Sequence, residues 1–248
     1  MTRNKMRVAI AISGGGTTME AVIKATKDGR LPFVEVALVV ASNDIADKAA
    51  RGIAKAKAQG LDEKHIVVRR RKDYNNQEQF GLALLRECRE RGVDFWSQNG
   101  WMPHTPQCVV EAFKGKSGNQ HPGPIRPGRL DFGGTDMFGS RVHCARLNFV
   151  KATNRNWWTE ATYQRVEHKL DEGAVIRFQQ VPILRDDTPE VLQQRVLPAE
   201  HEVVIDALND FSLGIEQEYW LSDDLVLPGE EAILAEAKAD AVRKYPKG

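Results

Sequence analysis

The chain has 248 residues, 42% of them apolar, which suffices for one large α/β domain or two small ones with a sizeable core. With 35 basic against 34 acidic residues the formal net charge is +1, which argues against a general nucleic-acid binder. Three widely spaced cysteines (Cys88, Cys108, Cys144) and no CxxC argue against a disulfide framework or a structural zinc site. The basic residues 1–6 run straight into a short strand and carry no signal-peptide apolar region. No apolar run approaches the ~20 residues that span a bilayer. The expectation is a soluble cytoplasmic protein with reduced thiols.

Residues 7–12 (RVAIAI) form a short apolar run, the pattern of a buried strand. Ser13-Gly14-Gly15-Gly16-Thr17-Thr18 follows at once, and Met19, Val22 and Ile23 then open a helical stripe. Strand, glycine loop and helix in this order aim backbone N–H groups and a helix N-terminus at an anion. Thr17 and Thr18 stand where they can cap the helix and donate to a phosphate. Met19 occupies the place of the third glycine of GxGxxG, and no Gly-Lys-Ser/Thr follows. The loop therefore suits a monophosphate better than a dinucleotide, and a βα turn that binds nothing is the plain alternative.

Residues 33–41 predict a second strand, closed by Ser42-Asn43-Asp44, and residues 45–58 an alanine-rich helix. A third strand covers residues 65–68. Residues 77–91 form an amphipathic helix with Phe80, Leu84 and Cys88 on one face. A fourth strand (94–98), a short helix (107–113) and a fifth strand (117–121) complete the alternation. Such alternation implies a doubly wound, mostly parallel α/β sheet of Rossmann-like kind, whose ligands bind beyond the carboxyl ends of the strands. The glycine loop, the Asn99-Gly100-Trp101-Met102 turn and Asn119 to His121 all fall at such ends. Beyond them come a proline- and glycine-rich loop (122–134), a helix (136–149), an inserted loop with Trp157 and Trp158 (154–160), and a strand (161–166). Asp171-Glu172-Gly173 reads as a turn, followed by two extended pieces (174–178 and 181–184). Thr188 caps a long helix (189–213), and a charged surface helix (230–244) ends the chain. Residues 1–222 read as one domain and 223–248 as a C-terminal linker and helical tail.

Asn119 and His121 lie two apart on a strand, so they share a face. Acyl transfer needs that combination: a proton carrier and a donor for the oxygen that becomes negative. The bland alternative is a strand end with an ordinary core or surface histidine. Asp171 could equally be a turn-forming aspartate before Gly173. His143 beside Cys144, and His168, lack the i, i+4 pairing of metal ligands, and no metal is expected. Trp101, Trp157 and Trp158 could stack on a pterin ring or serve as core.

Five stretches together resemble the 10-formyltetrahydrofolate-dependent formyltransferases, most nearly those that act on glycinamide ribonucleotide. Ser13 to Thr18 is similar to the family's phosphate loop, and Gly100-Trp101-Met102 to the Gly-Phe-Met that borders the folate pocket. Asn119-Gln120-His121-Pro122 is similar to the Asn-x-His-Pro catalytic motif, and Leu170-Asp171-Glu172-Gly173 to the Leu-Asp-x-Gly that supplies an aspartate. Arg195-Val196 with Glu200-His201 is similar to a helix segment whose glutamate holds a ribose. The resemblance implies a Rossmann-like formyltransferase fold with Asn119, His121 and Asp171 catalytic. It implies Gly15, Gly16, Thr17, Thr18 and Glu200 at the phosphate and ribose, and Trp101, Met102, Pro103 and His104 at the folate. The formyl donor would be 10-formyltetrahydrofolate, and the partners small molecules rather than nucleic acid or membrane, with a homodimer left open. A hydrolase relative is disfavoured, because it carries a further N-terminal domain and this chain begins at its first strand.

The departures are specific. Gly123-Pro124-Ile125-Arg126-Pro127 replaces the usual Ser-Leu-Leu-Pro, and Pro103 replaces a basic residue. Glu160-Ala161-Thr162-Tyr163-Gln164 replaces Gly-x-Ser-x-His, with Gln164 at the histidine's place. These changes leave open a different amine, such as an amino sugar nucleotide, and a nucleotide-binding relative without chemistry.

Overall fold

The computed structural model describes residues 4–43 and 48–248, with side chains from 51 onward in the second stretch. Asp44 and residues 45–47 of the expected second helix lie outside the described residues. The chain forms two compact units, Met1–Asn119 with Val204–Glu216, and Gln120–Val203 with Gln217–Gly248.

The first unit is built on parallel strands β1 (Met6–Ile12), β2 (Val34–Ala41), β3 (Ile66–Val68), β4 (Phe95–Gln98) and the first part of β5 (Ser117–His121). Their order is β3-β2-β1-β4-β5. The helices are α1 (Thr17–Lys27), α2 (Lys48–Ala58), α3 (Gln77–Glu90) and α4 (Gln107–Ala112). Val8 to Ile12 and Ala37 to Ala41 have no exposed surface, as strands covered on both faces require. Asn76 caps α3 through its side-chain oxygen, 2.8 Å from the Gln79 amide, and the expected face of Phe80, Leu84 and Cys88 is buried. The chain runs from β1 outward to β3, then crosses back to β4 on the other side of β1. The loops after β1 and β4 therefore flank the switch point, where such sheets hold ligands.

The second unit contains α5 (Ser140–Thr153), β6 (Trp158–Gln164), β7 (Val175–Pro182) and α7 (Glu231–Lys244). The long helix α6 (Pro189–Leu213) begins here and ends in the first unit. β6 pairs antiparallel with β7 from Trp158↔Pro182 to Gln164↔Val175. This corrects the sequence reading in two places. The inserted loop ends at Trp157 because residues from Trp158 already pair. The two extended pieces are one strand; exposed Phe178, Gln179 and Gln180 in its middle resembled a break. α5 begins at Ser140, four residues later than expected. The terminal helix is not a surface helix: Leu234, Ala237 and Ala241 recur on one face and are buried against the side of α5 that carries Cys144 and Ala145. Among the described residues no helix is long and apolar enough to cross a membrane.

One buried ion pair ties the loop after β5 to β6. Arg126 (2% exposed) reaches both oxygens of Glu160 (0% exposed) at 2.9 and 3.0 Å, and both oxygens of Asp223 at 2.7 and 2.9 Å. The insertion-like Pro-Ile-Arg-Pro stretch is thus anchored by its arginine. Removing one partner of such a pair strands the other charge in a dry site. Glu160→Ala is expected to cost about 3 kcal/mol in urea denaturation, and joint replacement by Arg126→Met and Glu160→Leu to recover more than half of that.

Candidate active site

In the first unit the glycine loop closes β1 onto α1. The N-cap of α1 is Gly16 in the left-handed region (φ 63°), with no side-chain cap bond, so Thr17 and Thr18 are the first two helical residues rather than caps. Gly16 packs on Gly52 of α2, where a side chain would meet Ile12 and the Gly14 carbonyl at under 3 Å. Gly14 and Gly15, by contrast, have open space where a Cβ would stand. Their backbone is free to be approached closely, which is what a phosphate cradle needs.

This loop is stitched to the turn after β4. The Ser13 amide donates to the Gly100 carbonyl (2.8 Å), the Met102 amide donates to Ser13 Oγ (2.8 Å), and Ser42 Oγ donates to the same oxygen (2.7 Å). Two of the expected subsites, Gly15 to Thr18 and Trp101 to His104, are therefore neighbours. Within the second of them the residues divide. Trp101 is buried, its ring stacked 6.2 Å from Phe80 and edge-on to Trp96 at 6.0 Å. It shapes the turn from inside. Met102 and His104 are exposed and Pro103 is half-buried, so these three offer the accessible surface.

In the second unit His121 at the end of β5 meets Asp171, fifty residues later, with Nδ1 3.7 Å from Oδ2. That is ion-pair range, longer than a hydrogen bond. His121 is 3% exposed, and the Asp171 side chain keeps 11% of its surface in solvent. Both are held by a short turn, Asp131 to Gly134. His121 Nε2 faces the Phe132 carbonyl at 3.2 Å. A carbonyl only accepts, so Nε2 carries a proton and Nδ1, facing Asp171, is the nitrogen free to gain or lose one. Asp171 sits at φ 57°, and its Oδ2 accepts from the Gly134 amide at 2.8 Å while Oδ1 accepts from Gln164 Nε2 at 2.7 Å. The Gly133 position needs a glycine: a Cβ there would lie 2.6 Å from Ile125 Cδ1 and 2.8 Å from Asp171 Cβ. Asp131 accepts from the amides of Arg126 (2.7 Å) and Gly133 (2.8 Å), and burial still pushes its carboxyl above the usual range.

His143 of α5 has no exposed surface and no hydrogen-bond partner on either ring nitrogen. Burial, reinforced by the charge of His121, brings its pKa down to about 3, so it stays neutral beside the pair. Asn119 lies two residues before His121 on β5 and is half-buried, on the same face by strand alternation. Glu200 of α6 is 7% exposed, its carboxyl bonded to Gln120. No group of His, Cys, Asp or Glu able to hold a metal occurs among the described residues.

The sequence reading missed Gln164 as a partner of Asp171, although it marked that position as one where a histidine was lost. Residues 131–134 fall within the expected loop or chain of turns (122–134), but their part in holding His121 and Asp171 was not anticipated.

Burial raises the Glu200 carboxyl to about 8, against 4.5 in the unfolded chain. Between those values the folded state keeps a proton that the unfolded chain has released, so stability declines as pH rises. His143, kept neutral by burial with its pKa at about 3 against 6.5 unfolded, gives the opposite slope up to pH 6.5. The Glu200 contribution is therefore expected to appear as a fall in urea-unfolding stability between about pH 6.5 and 8, and Glu200→Gln is expected to remove that fall. An unchanged slope in the variant would contradict the assignment.

Residues 6–127 match the family described as formyl transferase. The chain is 26% identical over 223 residues to the chloroplastic phosphoribosylglycinamide formyltransferase of Arabidopsis thaliana, covering 90% of this chain and 70% of that protein. It is 30% identical over 215 residues to the trifunctional purine biosynthetic protein adenosine-3 of Gallus gallus, covering 86% of this chain but only 19% of that longer protein. The glycinamide ribonucleotide transformylase 1 of Symbiobacterium toebii superposes with a TM-score of 0.70 at 27% identity, over 85% of this chain and 89% of its own. The phosphoribosylglycinamide formyltransferase of Brucella melitensis gives 0.68 at 28% identity, over 87% and 100%. Residues 6–127 thus match a formyl transferase domain, and the chain shares its α/β fold, a mostly parallel sheet flanked by helices, with these transformylases.

Proposed function

We propose that the chain transfers a formyl group from 10-formyltetrahydrofolate to the primary amine of glycinamide ribonucleotide, a step of purine biosynthesis. The observation that carries this reading is the meeting of His121 and Asp171, from two motifs fifty residues apart, across 3.7 Å in a nearly dry setting. The names of the relatives, all formyltransferases or proteins of purine synthesis, support it.

In this reading the amine attacks the formyl carbon and the formyl oxygen becomes negative. The Asn119 amide donates to that oxygen, and His121 supplies a proton from Nδ1, first as stabiliser of the oxyanion and then to the departing folate nitrogen. With Nε2 tied to the Phe132 carbonyl, Nδ1 is the atom able to act. Asp171, opposite that nitrogen, steadies the charged ring and orders a water that carries the proton of the attacking amine. The acceptor's phosphate lies on the amides of Gly15 and Gly16 with the Thr17 and Thr18 hydroxyls, and Glu200 binds its ribose. Met102, Pro103 and His104 line the folate, with Trp101 supporting them from beneath. No metal takes part, the work is done in the cytoplasm, and the second product is tetrahydrofolate.

Formyl transfer is followed as release of tetrahydrofolate, with glycinamide ribonucleotide or an amino sugar nucleotide as acceptor. The wild-type chain is expected to use the ribonucleotide. His121→Ala is expected to lower turnover by about 10²–10⁴-fold, and Asn119→Ala by about 10²–10³-fold. Turnover with the amino sugar nucleotide alone would move the acceptor assignment. Full activity of His121→Ala would end the catalytic one.

A further inference from the structure

The C-terminal helix brings one charged group to the catalytic turn. Lys238, on α7, is partly buried and donates from Nζ to the Gly133 carbonyl at 2.9 Å. Its helix is fixed on α5 by Leu234, Ala237 and Ala241 and by Asn148 Nδ2, which donates to Asp240 at 2.7 Å. Past the helix end, Arg141 of α5 donates to the carbonyls of Tyr245 (2.7 Å) and Pro246 (2.8 Å). Lys238 is therefore delivered by a well-anchored element. Burial lowers its pKa, and the negative charges of Asp131 and Asp171 act against that.

The carbonyl of Gly133 and the N–H of Gly134 belong to one planar peptide group. Lys238 holds the oxygen of that group, and its N–H donates to Asp171 Oδ2 at 2.8 Å. An ammonium on the oxygen polarises the amide and makes its N–H a stronger donor. It also fixes the plane, and with it the direction in which the N–H points. The preceding peptide group serves the other partner. Its oxygen, that of Phe132, accepts from His121, while its N–H, that of Gly133, donates to Asp131 at 2.8 Å. Two successive peptide planes thus set the two members of the pair, and Lys238 is the side chain that pins the second plane.

We propose that Lys238 is a positioning residue for Asp171, acting through the Gly133–Gly134 peptide to keep the carboxylate opposite His121. The catalytic consequence rests on the formyl-transfer reading, whereas the positioning itself does not. It assigns to the C-terminal helix a part in the site that neither the motifs nor the family match at residues 6–127 reaches.

The test uses the full chain with Lys238→Met, which keeps the apolar stem, and Lys238→Arg, which keeps a cationic donor. In the ligand-free protein, NMR is expected to show the Gly134 amide proton moved upfield and exchanging faster in Lys238→Met. In Lys238→Arg it should lie close to wild type. In the transfer assay Lys238→Met is expected to lower kcat by about tenfold to a hundredfold with KM for both substrates within about twofold, and Lys238→Arg to restore most of the loss. A Gly134 amide unmoved in folded Lys238→Met would overturn the proposal. So would a moved amide with kcat unchanged in an active enzyme. A wild-type chain that transfers no formyl group would end the functional reading, while the Gly134 signal would still decide whether Lys238 positions Asp171.

Discussion

The site depends on four residues of backbone, Asp131 to Gly134. The Phe132 carbonyl fixes the protonated nitrogen of His121, and the Gly134 amide fixes an oxygen of Asp171. Without this turn the histidine at the end of β5 and the aspartate in the turn before β7 would have no common frame. Glycine at 133 is what lets Asp171 approach, since a Cβ there would lie 2.8 Å from Asp171 Cβ and 3.1 Å from its Oδ2. The constraint is therefore steric as well as electrostatic, and it is made by peptide groups, which cannot drift by rotamer change.

Around that turn the chain arranges charge in a low-dielectric setting. His121 and Asp171 are nearly closed off, so their mutual attraction is only weakly screened. Several buried groups nearby are kept neutral or committed to other partners. His143 stays uncharged because it is fully buried without a partner. Arg126 is committed to Glu160 and Asp223, and Arg146, equally buried, lies over the rings of Phe132 and Trp158 at 4.9 Å each. The first unit has a different design, with open glycines and an N-terminal helix end suited to an anion, and an aromatic core of Phe80, Trp96 and Trp101 behind the turn after β4.

Much of this was legible from the residues. Runs such as VEVALVVA announce buried parallel strands because both faces must be apolar, and the glycine loop marks the first βα turn by its place between two periodicities. Asn119 and His121 are marked by sharing a strand face, Asp171 reads equally well as a turn residue, and it is the resemblance that joins the three. What escaped had a physical reason. Backbone groups carry no residue label, so the part played by the 132–134 peptides cannot be seen in a string of letters. Gln164 looked like a loss because its amide meets Asp171 only after β6 and the following turn fold back on each other. Lys238 stood in an alanine-rich stretch whose burial is visible only once α5 is beside it. Trp101 has the same letter in a core as in a ring-stacking site, and only packing separates them.

The central claim is that His121 and Asp171 act as one unit in formyl transfer. It is tested most directly by a double-mutant cycle on kcat with His121→Ala, Asp171→Asn and the two combined. If the aspartate works through the histidine, the double variant should be no slower than His121→Ala by more than about twofold. Losses that simply multiply would mean that the two groups act independently, and the account of a single coupled pair would be wrong.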